Sequence, residues 1–125
     1  MIVKAGLAAI RSGKLLLVKK KGLRQLIMPG GKVMAGESFR QALQRELQEE
    51  LGTKAGNLRL LGKFVDVAAG QKGSLQIVLF SGALSGRPRP GSEIKKIVWV
   101  GSGSARVSPI VKNKILPFLK RKALL

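Results

Sequence analysis

Short apolar runs separated by glycine-rich or charged turns predict a series of β-strands along the chain. A turn at Ser12-Gly13 joins the first two strands, and residues 70–73 join the longer pair in the middle of the chain. A loop rich in proline and glycine, residues 85–91, precedes the last strand. The predicted strands are Ile2 to Ile10, Lys14 to Val18, Leu26 to Met28, Leu58 to Ala69, Ser74 to Leu84 and Ile94 to Val100.

In residues 38–52, apolar residues recur at every fourth position, which predicts a helix with one buried face. Ser38 and Gln41 have the spacing of a capping box, in which each side chain satisfies a backbone N–H at the helix start. Gly52 is the expected C-terminal stop. The apolar stripe between these signals consists of Phe39, Leu43, Leu47 and Leu51.

A second helix is predicted from Ser108 to Arg121, after a flexible link from Gly101 to Ala105. Pro109 suits the first helical turn, whereas Pro117 predicts a bend or an early end. The apolar face of this helix would be formed by Ile110, Val111, Ile115, Phe118 and Leu119. Strands arranged around two helices favour an α/β fold, with a mixed sheet sandwiched between helices.

The length of 125 residues predicts one domain covering residues 1–125. Cysteine and histidine are absent, which excludes disulfides, thiolate or imidazole zinc sites, and catalysis by Ser/His or Cys/His pairs. Lys4 interrupts the first apolar run, which therefore suits a strand better than a signal peptide. The longest uncharged run, residues 73–86, is shorter than the ~18 residues of a membrane span. These features predict a cytoplasmic protein with no membrane partner.

Carboxylates are scarce in the chain and concentrated in one stretch. Four of the six acidic residues, Glu37, Glu46, Glu49 and Glu50, lie between Pro29 and Thr53. Three of them stand at i, i+3 and i+4, which places them on one helical face, where like charges cost about 0.2–0.5 kcal/mol per pair. A hard divalent cation such as Mg²⁺ would relieve this repulsion. The preceding residues 29–31, Pro-Gly-Gly, are expected to form a loop where the backbone closely approaches a ligand.

This stretch resembles the signature of the Nudix hydrolases. Gly31 is followed after five residues by Glu37, and after seven more by residues 45–52, RELQEELG. The next position, usually aliphatic in the family, is Thr53. The resemblance implies the Nudix α/β/α sandwich, with a mixed β-sheet, two main helices and the signature as loop, helix and loop. It also implies a hydrolase that cleaves a diphosphate joining a nucleoside to another moiety.

The same resemblance implies a bound divalent cation, Mg²⁺ or alternatively Mn²⁺, which neutralises phosphate charge. Its ligands would be the Gly30 carbonyl, Glu46, Glu49 and Glu50, with Glu46 and Glu49 also counted as catalytic. Arg45 cannot ligate a cation and would instead orient a neighbouring carboxylate. Glu37 is open between a structural role and a role around the metal.

Two carboxylates outside the signature, Asp66 and Glu93, could complete such a site. We interpret Asp66 as structural and favour Glu93 as a further ligand or the general base, because MutT-type members of the family place an extra glutamate there. The choice of base between Glu93 and the signature glutamates stays open. The candidate substrate-binding residues are Gly31, Lys32, Arg24 and Asn113.

The substrate is inferred by elimination. The chain lacks tyrosine, as well as the proline and the coenzyme A motif that mark other subgroups, which leaves a nucleoside triphosphate, either normal or oxidised. The net charge of +18 supports an alternative, a basic RNA-binding module or an RNA 5′-end pyrophosphohydrolase. Aromatic platforms for stacking bases are few, with four Phe and one Trp. We therefore expect only weak, sequence-blind nucleic-acid binding.

Overall fold

The computed structural model describes residues 1–101 and 105–125 of the chain. The centre of the predicted link from Gly101 to Ala105 lies outside the described residues. The strands are β1 (Ile2–Ala8), β2 (Ile10–Arg11), β3 (Lys14–Lys20), β4 (Gly30–Lys32), β5 (Ala55–Val67), β6 (Ser74–Leu84) and β7 (Ile94–Val100). The helices are α1 (Phe39–Leu51) and α2 (Leu116–Arg121), and a π-helical turn, Val111–Ile115, directly precedes α2.

The strands form two sheets. The four-stranded mixed sheet has the order β4-β1-β6-β5, and the three-stranded antiparallel sheet has the order β2-β3-β7. Strands β1 and β6 run parallel, whereas the remaining neighbours are antiparallel. The predicted mixed sheet is thus confirmed.

Both faces of β3 are buried, and its successive residues point to opposite sides. In β3, Leu15 and Leu17 belong to the core beneath α2, while Leu16 and Val18 belong to the core beneath α1. The residues of the predicted α1 stripe fill the second core, with Leu43, Leu47 and Leu51 fully buried and Phe39 half-buried. Helices on both faces give the predicted α/β/α sandwich.

Local signals define α1 as expected. The Ser38 hydroxyl accepts the Gln41 N–H at 3.1 Å, and the Gln41 side chain accepts the Ser38 N–H at 2.8 Å. Gly52 ends the helix in the left-handed region at φ 67° and donates its N–H to the Gln48 carbonyl. Thr53 follows as a buried residue whose hydroxyl accepts the Gly86 N–H at 2.9 Å. The hydroxyl at this position therefore anchors the loop after β6.

The glycine-rich segment differs from its prediction. Gly30 is the first residue of β4 and pairs with Gly6 of β1, whereas Leu26 and Ile27 form only isolated bridges. The predicted strand from Leu26 to Met28 and the predicted Pro-Gly-Gly loop are both wrong at this point. Gly30 has a φ of 136°, and a Cβ there would clash with the Ala5 carbonyl. Only glycine allows the chain to approach β1 this closely.

Strand β5 begins three residues earlier than predicted, because Ala55 and Gly56 already pair with β6. The Gln44 amide of α1 donates to the Ala55 carbonyl at 2.6 Å and accepts the Ala55 N–H at 3.0 Å. The amide thereby satisfies both backbone groups of Ala55, as a neighbouring strand would. It also connects α1 to the start of β5.

The C-terminal helical segment runs through Pro117 instead of ending there. Pro117 lies in the first turn of α2, and the π-helical turn stands immediately before it. Proline has no N–H to donate to the carbonyl four residues earlier. The Leu116 N–H correspondingly donates five residues back, to Val111. No helix within the described residues is long and apolar enough to cross a membrane.

We expect Leu47→Ala to lower the free energy of unfolding by about 2–5 kcal/mol, because it removes a fully buried side chain between α1 and the sheet. Urea denaturation followed by circular dichroism would measure the loss. Gln48→Ala on the exposed face of the same helix is the matched control and should stay within about 0.5 kcal/mol of the parent. Equal losses in both variants would contradict the assigned burial.

Candidate active site

Two adjoining clefts lie where α1 meets the ends of β3 and β4 and the segment before β7. The first, about 200 Å³, is lined by Lys20, Glu46, Glu49, Glu50 and Glu93 and is called the acidic cleft. The second, about 270 Å³, is called the basic cleft, and the residues lining it include Lys4, Lys20, Gly30, Gly31, Lys32, Arg45 and Glu46. Lys20 and Glu46 line both clefts and therefore mark their junction.

The Arg45 guanidinium connects the loop before α1 to the acidic face of the helix. It donates to both Glu37 carboxylate oxygens at 2.8 and 3.0 Å, and to Glu46 at 2.8 Å. It also donates to the Lys32 carbonyl at 3.0 Å. Bonds from Arg45 and from the Met34 N–H lower the pKa of Glu37 to about 2, while Glu37 and Glu46 raise the pKa of Arg45. This network occupies Glu37 and favours its structural role.

Glu50 is the one signature glutamate that the helix buries, with 5% of its surface exposed. Its Oε1 accepts the Gly30 N–H at 2.9 Å. Burial, which disfavours the charged carboxylate, raises the pKa of Glu50 to about 7, and the charge of Glu46 adds to the shift. The Gly30 bond and the cations Lys20 and Lys4 partly oppose it. Glu50 is thus a carboxylate that is poorly compensated at neutral pH.

Gly31 permits the close contact between β4 and the acidic face of α1. A Cβ at this position would clash with the Glu46 carboxyl group. Any larger residue would therefore displace the side chain that marks the junction of the two clefts. This steric requirement assigns Gly31 a spacing role at the site.

The donor types fit a hard divalent cation, but their present positions do not form a complete ligand set. Within residues 1–101 and 105–125, no three carboxylates stand close enough together to hold a metal ion. Arg45 holds one Glu46 oxygen and lies 3.7 Å from Glu49, whose side chain is 53% exposed. Carboxylates are the ligands that Mg²⁺ prefers. Arg45 occupies only Oε1 of Glu46, so Glu46 Oε2, together with Glu49 and Glu50, would be available to hold the cation.

Glu93 does lie on the acidic cleft, although it comes from a different part of the chain. It forms a loose ion pair with Lys20, at 3.7 Å between Oε2 and Nζ, and 70% of its side chain is exposed. Its backbone carbonyl accepts the Lys21 N–H, which fixes the segment before β7 next to the end of β3. The exposed carboxylate is accessible to a water molecule in the cleft.

Two of the predicted substrate-binding residues lie away from both clefts. Asn113 donates to Asp66 at 3.1 Å on the exposed surface near β5, and this bond helps the Val67 N–H to lower the pKa of Asp66. Arg24 lines a separate open groove of about 460 Å³ together with Arg106. The structure therefore places Asn113 and Arg24 outside both clefts, whereas Lys32 and Gly31 line the basic cleft.

Lys4 and Ser108 are candidate functional residues that sequence reasoning missed. Lys4, half-buried in β1, lines the basic cleft and also a narrow apolar cavity of about 40 Å³. Ser108 lines the same cavity, and its buried hydroxyl has no hydrogen-bond partner among the described residues. The sequence signal for Lys4 was its place within an apolar strand, because lysines are almost never fully buried unless they are paired. Ser108 had no comparable signal.

Comparisons with known proteins agree with this architecture. The NUDIX domain family model matches residues 2–120. An 8-oxo-dGTP diphosphatase of Haemophilus influenzae is 54% identical over 41 residues, which is 33% of this chain and 30% of that protein. A Bacillus subtilis protein, provisionally named an 8-oxo-dGTP diphosphatase, is 34% identical over 94 residues, or 74% of this chain and 60% of the relative. The chain thus spans less than two thirds of either relative.

Among solved structures, a MutT NUDIX hydrolase from Burkholderia pseudomallei superimposes with a TM-score of 0.77 and 25% sequence identity. The match covers 89% of this chain and 92% of the other. The similarity therefore extends beyond the signature to the arrangement of the strands and helices around it.

We expect Glu50→Gln to stabilise the metal-free protein in a pH-dependent way. The raised pKa of Glu50 means that burying its charge costs stability as pH rises from about 4.5 to about 7, and the cost is full above that range. The variant should therefore melt several degrees above the parent at pH 8 and close to it at pH 4. Thermal melts with a chelator present would measure both. A variant that melts below the parent at pH 8 would contradict the uncompensated burial of this carboxylate.

Proposed function

The chain belongs to the Nudix family, and from this premise we propose that it is a metal-dependent hydrolase that cleaves a diphosphate linkage in a nucleoside triphosphate. The observation that carries the proposal is the junction of the acidic and basic clefts. A diphosphate is itself an anion, so its binding site needs cationic side chains for the phosphates. The site also needs carboxylates, which bind the metal and accept a proton from the attacking water. The two clefts supply these groups side by side.

The lysines of the basic cleft are proposed to bind the phosphate groups. Three lysines reach the cleft from strands of both sheets: Lys4 from β1, Lys20 from β3 and Lys32 from β4. Lys20 also lies on the acidic cleft, where a phosphate held by it would face Glu46 and Glu49. Each ammonium offers three donors and a compact charge, which suits a phosphate group.

The signature carboxylates Glu46, Glu49 and Glu50, with the Gly30 carbonyl, are proposed to hold the divalent cation. When bound, the cation supplies charge neutralisation at the phosphates and a more acidic water. Arg45 positions Glu46 through the 2.8 Å bond and is anchored by Glu37 and the Lys32 carbonyl. Its role is to orient a ligand, because a guanidinium cannot itself bind a cation.

The attacking water must lose a proton, and Glu49 and Glu93 are the two open candidates for accepting it. Both side chains are exposed to the acidic cleft, at 53% and 70%. Glu46 is held by Arg45, and Glu50 is buried against the Gly30 N–H, so neither is as free to move toward a water. Comparing the pH profiles of Glu49→Gln and Glu93→Gln would separate the two assignments.

The nucleoside is proposed to lie in the narrow cavity that adjoins the basic cleft at Lys4. Apolar residues line most of this cavity, and the Ser108 hydroxyl is free to bind a base edge. At about 40 Å³ the cavity holds roughly three waters, so a base requires it to widen. Leu23 lines both this cavity and the larger groove near Arg24, so its side chain is the one proposed to move. The named activities of the relatives make 8-oxo-dGTP the first substrate to test.

We expect hydrolysis to require added Mg²⁺ or Mn²⁺, because a phosphate at the junction would face four glutamates of the acidic cleft, and Lys20 alone does not offset their charge. A panel of normal and oxidised nucleoside triphosphates, assayed for released pyrophosphate, would test substrate and metal together. Exhaustive chelation should abolish turnover, and readdition of the metal should restore it. Undiminished turnover without metal would overturn the proposed chemistry.

We expect Glu49→Gln to lower kcat by about 100-fold or more, the scale seen when a main electrostatic group is removed. Gln48→Ala is the matched control, since residue 48 lies on the same exposed turn of α1 but does not line the acidic cleft. It should keep kcat within about twofold of the parent. Unchanged kcat in Glu49→Gln, with the fold intact by circular dichroism, would remove Glu49 from the reaction.

A further inference from the structure

A second charged groove, distinct from both clefts, lies beside β7. It has a volume of about 420 Å³ and is lined by Arg11, Arg87, Lys96, Trp99, Pro88 and Pro90. Arg11 comes from β2, Lys96 and Trp99 from β7, and the remaining residues from the loop after β6. None of these residues lines the acidic or the basic cleft. We call this site the tryptophan groove.

The cations of the tryptophan groove are not neutralised by the described part of the protein. Arg11, Arg87 and Lys96 are exposed and form no ion pair or side-chain hydrogen bond within it. None of the six carboxylates of the chain lines the groove. Three cations around one concave space repel one another, so an anionic ligand would be favoured there.

The groove also contains the single tryptophan of the chain. Trp99 is half-buried, with its inner side packed against the core beneath α1. The Arg11 guanidinium lies 5.5 Å from the ring centroid on the outer side, within the range of a cation–π contact. Because Arg11 is exposed, its guanidinium is free to move to a phosphate and leave the ring to another planar group. Pro88, Pro90 and Ile97 add apolar surface around the ring.

We propose that the tryptophan groove binds single-stranded nucleic acid, with a base stacked on Trp99 and the adjoining phosphates on Arg11, Arg87 and Lys96. This combination of an aromatic face and a cationic track is what sequence-blind single-strand binding requires. An acidic polypeptide would use the cations but has no base to stack on the ring. The groove goes beyond the proposed hydrolysis, because no signature residue takes part in it.

The position of the tryptophan groove places a bound single-stranded nucleic acid next to the acidic cleft. The loop that carries Arg87 and Pro90 is held to the end of α1, since the Arg89 N–H donates to the Leu51 carbonyl and the Gly91 N–H donates to the Glu50 carbonyl. Pro90 lines the tryptophan groove, and Ser92, two residues later, lines the acidic cleft. The two sites are therefore neighbours across Gly91 but have separate linings.

Intrinsic fluorescence gives a direct measurement, because the chain has one tryptophan and no tyrosine. The intact protein would be titrated with a thymidine 10-mer bearing 5′-hydroxyl ends, in chelator and at 50 mM salt. Such an oligonucleotide carries no diphosphate and is not a substrate for the proposed hydrolysis. We expect quenching of Trp99 that saturates, and reversal of the quenching as salt rises. Binding without any change in Trp99 emission would overturn the proposal.

Paired charge variants locate the binding site. We expect Arg87→Gln/Lys96→Gln to weaken binding at least tenfold and to reduce the slope of log affinity against log salt by about 1.4, at about 0.7 per phosphate contact. Lys112→Gln/Lys114→Gln removes the same charge from the exposed side of the π-helical turn, outside the groove, and should weaken binding less than threefold. Equal losses of affinity in the two double variants would show that the net charge attracts the oligonucleotide diffusely, and would overturn the assignment of the tryptophan groove as the binding site.

Two further comparisons test the ring and the class of ligand, with a labelled oligonucleotide followed by anisotropy. Trp99→Phe should keep most of the affinity, and Trp99→Leu should lose about fivefold or more, because only the first retains a stacking face. Poly-glutamate of equal charge should compete poorly; equal competition would indicate an acidic polypeptide ligand and overturn the proposal. Hydrolysis of small nucleotides should be unchanged in Arg87→Gln/Lys96→Gln. The proposal for the tryptophan groove can therefore be disproved without affecting the proposed hydrolysis.

Discussion

The site depends on one guanidinium that holds several carboxylates on the same side of α1. Arg45 contacts Glu37, Glu46 and the Lys32 carbonyl, and lies near Glu49. Without these bonds, the glutamates would repel one another, and the loop between β4 and α1 would lose its main attachment to the helix. The planar fork of arginine is suited to this role because it donates in several fixed directions at once. A lysine at position 45 would offer the charge without that geometry.

Helix α1 contributes side chains to both the core and the clefts, and the burial of the Glu50 carboxylate is an energetic cost of this arrangement. The face that buries Leu43, Leu47 and Leu51 also turns Glu50 inward, where it meets the Gly30 N–H. A single hydrogen bond and the charges of Lys20 and Lys4 do not replace the lost hydration, as the raised pKa of this carboxyl indicates. Uncompensated groups of this kind are common at functional sites, where a ligand supplies the missing partner. The proposed cation would be that partner.

The sequence predicted the elements whose determinants are local. The capping box, the four-residue stripe and Gly52 all lie within fifteen residues of each other, and α1 forms as they indicate. Strand β4 and the early start of β5 depend instead on pairing with β1 and β6, which are distant in sequence. The same reason explains the site residues. Glu93 was identified through the family resemblance, whereas Lys4 and Ser108 gain their candidate roles only from the cavity that folding forms between them.

The distribution of charge favours a particular order of events at the clefts. The net charge of +18 attracts a nucleotide from a distance, although salt limits this attraction to about 10 Å at 0.1 M. The local charge of the acidic cleft is negative, because its lining contains four glutamates and one lysine: Glu46, Glu49, Glu50, Glu93 and Lys20. A phosphate can therefore approach the basic cleft unaided but meets repulsion at its junction with the acidic cleft. In the proposed reaction, a divalent cation held by Glu46, Glu49 and Glu50 would offset this repulsion. The arginine network supplies only part of that compensation, because Arg45 contacts Glu46 and lies near Glu49 but leaves the buried carboxylate of Glu50 with the Gly30 N–H as its hydrogen-bond partner.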